Sequence, residues 1–219
     1  MAVIFELRQA GLRFGSFDAL TAIDLKVMEG ETLILLGPNG AGKTCVLRLL
    51  AGLLPPSSGL VLRPGTETRP ARLGYCPQAG AIWENLTVTE QLALAAALYG
   101  VDKNHARERG AILLEEYRLT GEERTLGREL SRGNRRKLNL VLSLVHEPDV
   151  LLLDEPEAEL DAPSRTALVQ SLLKLAKAGS TTMVISTHHQ QEAELLASWV
   201  AVLDAGRIVA CGVPDGIGL

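Results

Sequence analysis

At 219 residues the chain fits one domain, with room for a subdomain inserted into it. Hydrophobic residues make up 47% and aromatics only 4%, so the core has to be built from Leu, Val, Ile and Ala, as in an α/β protein. The 22 Lys and Arg against 26 Asp and Glu leave a formal charge of -4, which argues against nucleic-acid binding through a broad basic face and leaves only a local basic patch open. Cys45, Cys76 and Cys211 have no paired spacing, so neither a disulfide framework nor a zinc site is expected, and a reducing cytosol suits them. No basic head precedes a long apolar run at the N-terminus, and charges interrupt every apolar stretch before it reaches membrane-spanning length. The sequence therefore predicts a chain neither secreted nor embedded.

Apolar or alternating runs at residues 3–9, 21–27 and 32–37 predict three short strands, separated by the turn-prone GSFD at 15–18 and by Glu29-Gly30. The third run is continuously apolar and leads into GPNGAGKT, Gly37 to Thr44, and then into a helix expected to stop near Gly52. Pro, Ser, Gly and Thr dominate from Pro55 to Arg72 and frame a strand at 59–63, with another candidate at 72–76. Thr87 and Glu90 have the spacing of a capping box ahead of a helix through 90–99, which Gly100 ends. Helical patterns also cover 105–117 and 135–147. Residues 87–147 thus read as a helical subdomain set into an α/β core formed by 1–86 and 148–219. The core resumes with a buried strand at 150–154, a helix at 163–179, a strand at 181–186, a helix at 190–198 and strands at 199–204 and 207–212. On the first of these helices Leu168, Leu172, Leu175 and Ala176 share a face suited to packing on a sheet.

Gly37, Gly40 and Gly42 permit a tight loop whose backbone N–H groups, with the positive end of the next helix, cradle phosphate oxygens. The nucleotide loop comprises Gly37, Pro38, Asn39, Gly40, Ala41, Gly42, Lys43, Thr44 and Cys45. Lys43 supplies a point charge for the β and γ phosphates of ATP, and the Thr44 hydroxyl is placed to ligate Mg²⁺. The Cys45 thiol reads as inert and packed. VLLLDEP, Val150 to Pro156, delivers two acids to the C-terminal end of a strand, where ligands collect in a doubly wound sheet. Asp154 is read as a Mg²⁺ ligand and Glu155 as the group that orients and deprotonates the attacking water.

The order and spacing of these motifs resemble those of ABC ATPases over nearly the whole chain. The resemblance implies a P-loop core of ABC type with an N-terminal antiparallel β subdomain and an inserted helical subdomain. Phe14, in LRFGSFDAL, resembles the aromatic that stacks on adenine; Phe17 is close enough to compete, and a buried core phenylalanine is the alternative. Gln78, in GYCPQ, is similar to the glutamine that reaches Mg²⁺ and the attacking water. LSRGNRRKL, Leu130 to Leu138, resembles the signature sequence usually written LSGGQ, with Arg132 in place of the first glycine and Asn134 in place of glutamine. Ser131, Gly133 and Asn134 would then face the γ-phosphate held by a second subunit, so catalysis implies a homodimer or a heterodimer with another ABC ATPase subunit. Arg132, Arg135 and Arg136 read as a solvated helix face or as part of that subunit contact. His188 resembles the switch histidine that hydrogen-bonds the γ-phosphate, with His189 expected to be exposed. AELD, Ala158 to Asp161, resembles the D-loop, commonly SALD; Ala158 lacks the usual hydroxyl, and Asp161 also suits an N-cap.

The catalytic set so implied is Lys43, Gln78, Glu155 and His188, with Thr44, Gln78 and Asp154 for the metal. The resemblance implies a peripheral subunit on the cytoplasmic face of the cell membrane that drives a separate integral membrane permease. Residues 86–101 are similar to the corresponding region of exporter-type ATPases. Two alternatives stay open: a soluble ABC ATPase of iron-sulfur cluster assembly, and a catalytically weak regulatory subunit, to which Arg132 and Ala158 point. Retention of Lys43, Asp154, Glu155 and His188 argues against the second.

Overall fold

The computed structural model describes residues 2–218 except 64, 67, 68, 79, 81 and 159, and for 65, 66, 69 and 70 it describes the backbone alone. Part of the connecting stretch between Pro55 and Arg72, and Glu159 of the AELD motif, therefore lie outside the described residues.

Strands β1 (Val3–Phe14) and β2 (Phe17–Met28) form an antiparallel hairpin, and β4 (Ser58–Leu62) pairs with the other edge of β1. Both hairpin strands run further than the apolar patterns at 3–9 and 21–27 predict. The cause is a parity change. Phe5 and Leu7 face the core, then Ala10 and Leu12; on the partner strand Val27, Leu25 and Ile23 face it, then Leu20. Register shifts next to Gln9 (φ 49°) and Ala22 (φ 50°) make these bulges, so the alternation breaks in the sequence while pairing continues in space.

The main sheet has the order β11-β10-β3-β9-β8-β7. Its strands are β3 (Thr32–Leu36), β7 (Leu73–Cys76), β8 (Val150–Asp154), β9 (Thr182–Thr187), β10 (Trp199–Asp204) and β11 (Arg207–Gly212). All are parallel except the edge strand β11; β5 (Gly65–Thr66) and β6 (Arg69–Pro70) form a separate small hairpin. Every residue of β3, β8 and β9 is buried. A parallel strand covered on both faces is apolar through its middle, with each fully buried Leu or Ile contributing about 1.5–3 kcal/mol, and the polar residues of these three fall at their ends. One face of the sheet packs, through Leu33, Leu35, Val150 and Leu152, on α1 (Lys43–Leu50) and the hairpin. The other face, through Ile34, Leu151, Leu153 and Met183, packs on helices α2 (Val88–Leu98), α4 (Arg132–Leu144), α5 (Ala162–Ala178) and α6 (Gln190–Leu196). Leu168 and Leu172 are buried there, and Leu175 and Ala176 pack against the same cluster.

Between β7 and β8 the described residues form α2, α3 (Lys103–Glu116), a 3-10 turn and α4. The expected capping box starts α2: the Glu90 amide donates to Thr87 Oγ1 at 3.3 Å and the Thr87 amide to Glu90 Oε2 at 2.8 Å. Both later helices begin before their apolar patterns do because Asp102 and Ser131 cap them.

A buried polar cluster ties the ends of β8 and β9 to α6. Thr187 Oγ1 lies 2.8 Å from Glu157 Oε1 and 3.0 Å from Glu192 Oε2, and also accepts from the His189 amide. One hydroxyl hydrogen cannot serve two carboxylates, so one carboxyl carries a proton. Burial pushes both acids above the ordinary carboxylate range, and the charge of Glu192 pushes Glu157 further. An acid raised in the fold contributes its full stability at low pH and loses it as pH rises through the folded pKa. Glu157→Gln keeps the shape and cannot ionise. Its thermal midpoint should gain on the parent's progressively as pH rises above the ordinary carboxylate range. Parallel curves would rule out the shared proton.

Candidate functional site

The loop that leaves β3 turns into α1 at Gly42 (φ 104°), where a Cβ would stand 2.7 Å from Leu20 Cδ2 and 3.1 Å from Ala19 O. Only glycine fits there. The loop presents Pro38, Asn39 and Gly40 to solvent and buries Ala41 and Lys43. The Lys43 ammonium has three N–H groups and three acceptors: Gly37 O at 2.8 Å, Pro38 O at 3.1 Å and Glu155 Oε1 at 3.1 Å.

Glu155 follows the last residue of β8 and is bent into the left-handed region (φ 45°). Its amide donates to Ser186 O at 3.1 Å and to Ser186 Oγ at 2.9 Å, which fixes the bend. Its second carboxylate oxygen accepts from Gln78 Nε2 at 3.0 Å, and His188 Nδ1 stands 3.7 Å from the first. Asp154 Oδ1 accepts from Thr44 Oγ1 at 3.1 Å and from Ser186 Oγ at 2.7 Å. Its Oδ2 is buried with no partner among the described residues. An orphan carboxylate oxygen beside a threonine hydroxyl is a donor set for a small, hard divalent cation.

Lys43, Thr44, Gln78, Asp154, Glu155 and His188 thus meet at the carboxyl ends of β3, β7, β8 and β9. The chain does not bring Ser131, Gly133 or Asn134 to them. Ser131 Oγ accepts from the Asn134 amide at 3.1 Å as the N-cap of α4, and Asn134 Nδ2 donates to Glu122 Oε1 at 2.9 Å. Asp161 caps α5 by accepting from the Ser164 amide at 3.0 Å. Phe14 and Phe17 face each other at the hairpin tip, and both are exposed, so neither is a core phenylalanine. Cys45 is half-buried, and burial pushes its thiol up, as an inert thiol requires.

Two readings need correction. His189, expected to be exposed, is half-buried, and His188 is the exposed one. Thr187 points inward at the end of β9, so the next side chain points out, while the His189 amide folds back onto Thr187 to start α6. Arg136 is no part of a solvated face: it is 6% exposed and inserted between loops. Sequence reading also passed over Ser186, the buried hydroxyl that serves both acids. A serine ending an otherwise apolar strand was the available signal.

The family model described as ABC transporter matches residues 20–158. "Nod factor export ATP-binding protein I" of Cupriavidus metallidurans is 36% identical over 220 residues, covering 98% of this chain and 72% of that protein. "Sulfate/thiosulfate import ATP-binding protein CysA" of Synechococcus elongatus is 37% identical over 221 residues, covering 99% of this chain and 64% of its own length. A solved "ATP binding subunit of ABC transporter" superimposes with a TM-score of 0.89 at 29% identity, covering 98% of this chain and 91% of that one. On these matches the chain belongs to the ABC transporter family and is an ATP-binding, ATP-hydrolysing cassette of it.

Proposed function

We propose that the chain powers a separate integral membrane permease, working as one of two cassettes that close around two Mg-ATP. The observation that carries this reading is the meeting of Lys43, Asp154, Glu155, Gln78 and His188 at the carboxyl end of the main sheet. Lys43 rests on Glu155 and two loop carbonyls. A triphosphate in the loop is a stronger competitor for that ammonium, and its arrival turns Glu155 into an unpaired carboxylate beside the γ-phosphate. Glu155 then orients a water and takes its proton, the Gln78 amide fixes the carboxylate, and His188 donates to a phosphate oxygen. Thr44, Asp154 and Gln78 are the residues to hold Mg²⁺, which when bound neutralises charge on the β and γ oxygens. The loop amides from Gly37 to Cys45 hold the phosphates, and Phe14 offers a face for adenine.

Ser131, Gly133 and Asn134 serve the nucleotide of the partner cassette, with Asp161 at the same interface. We assign residues 87–147 as the subdomain that meets the permease. Between α2 and α3 lies a groove of about 920 Å³, lined by Leu92, Ala93, Ala97, Val101, Ala111 and Leu114 among others, and it suits an apolar helix of the permease. Export is the direction we assign, on the likeness of residues 86–101 to exporter-type ATPases. Stoichiometric co-purification from native membranes in mild detergent tests the partner; recovery with cytosolic companions alone would remove transport and leave the ATPase.

Three variants follow. Lys43→Ala should weaken ATP binding by at least about tenfold, as read by nucleotide titration, and unchanged affinity would remove the phosphate loop as the site. Glu155→Gln should keep ATP affinity within about twofold, lose about 10²- to 10⁴-fold in turnover and accumulate as closed dimers by size-exclusion chromatography with light scattering. Wild-type turnover would remove Glu155 as the base. Ala111→Arg places a good helix former on the exposed groove wall, so the basal ATPase should survive while the permease no longer co-purifies.

A further inference from the structure

Arg136 has all five of its N–H groups bound to main-chain carbonyls of two separate loops. Nε donates to Pro156 O at 3.2 Å, and Nη2 to Asp154 O at 2.7 Å and Glu155 O at 2.6 Å. Nη1 donates to Pro77 O at 2.5 Å and Gln78 O at 3.1 Å. A guanidinium has five donors in a fixed planar fork, so this set is complete. No carboxylate forms an ion pair with Arg136 among the described residues. The carbonyls alone compensate a buried cation, an arrangement that tolerates little displacement.

The acceptors are not arbitrary. Asp154, Glu155 and Pro156 form the bend that carries the proposed base in its left-handed conformation. Pro77 and Gln78 carry the amide that holds the Glu155 carboxylate. Asn139, one turn further along α4, adds a second donor to Pro77 O at 3.1 Å. Arg136 itself belongs to α4, whose first residues are the signature sequence. One side chain thus joins the signature helix, the glutamine loop and the base.

We propose that Arg136 is a positioning residue for ATP hydrolysis, holding Glu155 and Gln78 in register with α4 so that the base is aligned only when the signature helix is correctly seated. The proposal rests on the reading of Glu155 as the base. It assigns Arg136 no contact with nucleotide: its action passes through the two loops. Lysine has the charge but radiates its donors from one point, so it cannot span both loops. Glutamine is neutral and avoids leaving an unpaired buried ammonium.

The test compares Arg136→Lys and Arg136→Gln with the parent for thermal midpoint, ATP affinity, KM and kcat, and repeats each change in a Glu155→Gln background. We expect kcat to fall about 10- to 100-fold in a folded variant with KM and affinity within about twofold, the signature of misplaced geometry rather than lost binding. In the Glu155→Gln background each change should cost clearly less than in the parent, because the part of its effect that passes through Glu155 has nothing left to position. Wild-type kcat in either folded variant, multiplicative losses in the double variants, or failure of both variants to fold would overturn the proposal. If Glu155→Gln alone hydrolyses ATP normally, the reading beneath the proposal has failed, which is distinct from failure of the clamp.

Discussion

The buried pair of Lys43 and Glu155 is the contact on which the geometry of the site depends. Both side chains are almost wholly removed from water, 3.1 Å apart. Such a pair roughly offsets the hydration it gives up, whereas either charge left alone in that place is strongly unfavourable. Lys43 accordingly keeps two loop carbonyls as well as the carboxylate, and Glu155 keeps Gln78. The same balance makes the partner exchangeable. In the proposed mechanism a polyanion entering the loop would replace Glu155 without stripping the ammonium, and the carboxylate would retain an amide donor while it turns to a water.

That exchange requires two distant parts of the chain to end at the same point, and the sheet supplies this. β3, β9 and β8 are neighbours, and Asp154, Ser186 and Thr187 follow their apolar middles at the carboxyl end of the sheet, where the loop after β3 also begins. Ser186 shows how closely the edges cooperate: its hydroxyl donates to Asp154 and accepts from the Glu155 amide across the β8–β9 pairing. A left-handed glutamate costs roughly 1–3 kcal/mol and persists where neighbours over-determine it. Ser186 restrains it from the amide side and Arg136 from the carbonyl side.

The parts legible in the sequence are those whose partners lie nearby or whose environment is uniform. The phosphate loop, the acids after 150–153, the capping box at Thr87 and the fully buried strands all fall in that class. The bulged hairpin was legible only in part, because a bulge at Gln9 flips the alternation and looks like the end of a strand. Arg136 was misread for a different reason. It lies four residues from exposed Arg132 and beside half-buried Arg135, so helical period and charge both point to solvent. What buries it is the arrival of residues 77–78 and 154–156, which are distant in sequence. Glu157 and Glu192 were invisible for the same cause, since their shared proton exists only once Thr187 stands between them.

The departures from the usual signature text bear on the positive end of α4. The first turn holds no acidic residue, and Arg132 adds a cation to a terminus that already carries roughly half a positive charge. For an isolated chain this is unfavourable by about 0.3–1 kcal/mol. Ser131 uses one lone pair on the Asn134 amide, and its hydroxyl hydrogen has no acceptor among the described residues and can donate outward. A Cβ built on Gly133 would meet no atom within 4 Å, so none of the described residues requires glycine there. The room and the uncompensated field suit an anion brought from outside the chain, such as a phosphate held by a second cassette. In the proposed pair, arginine at 132 would strengthen the pull on the anion, and its cost would fall on the separated cassette rather than on the closed pair.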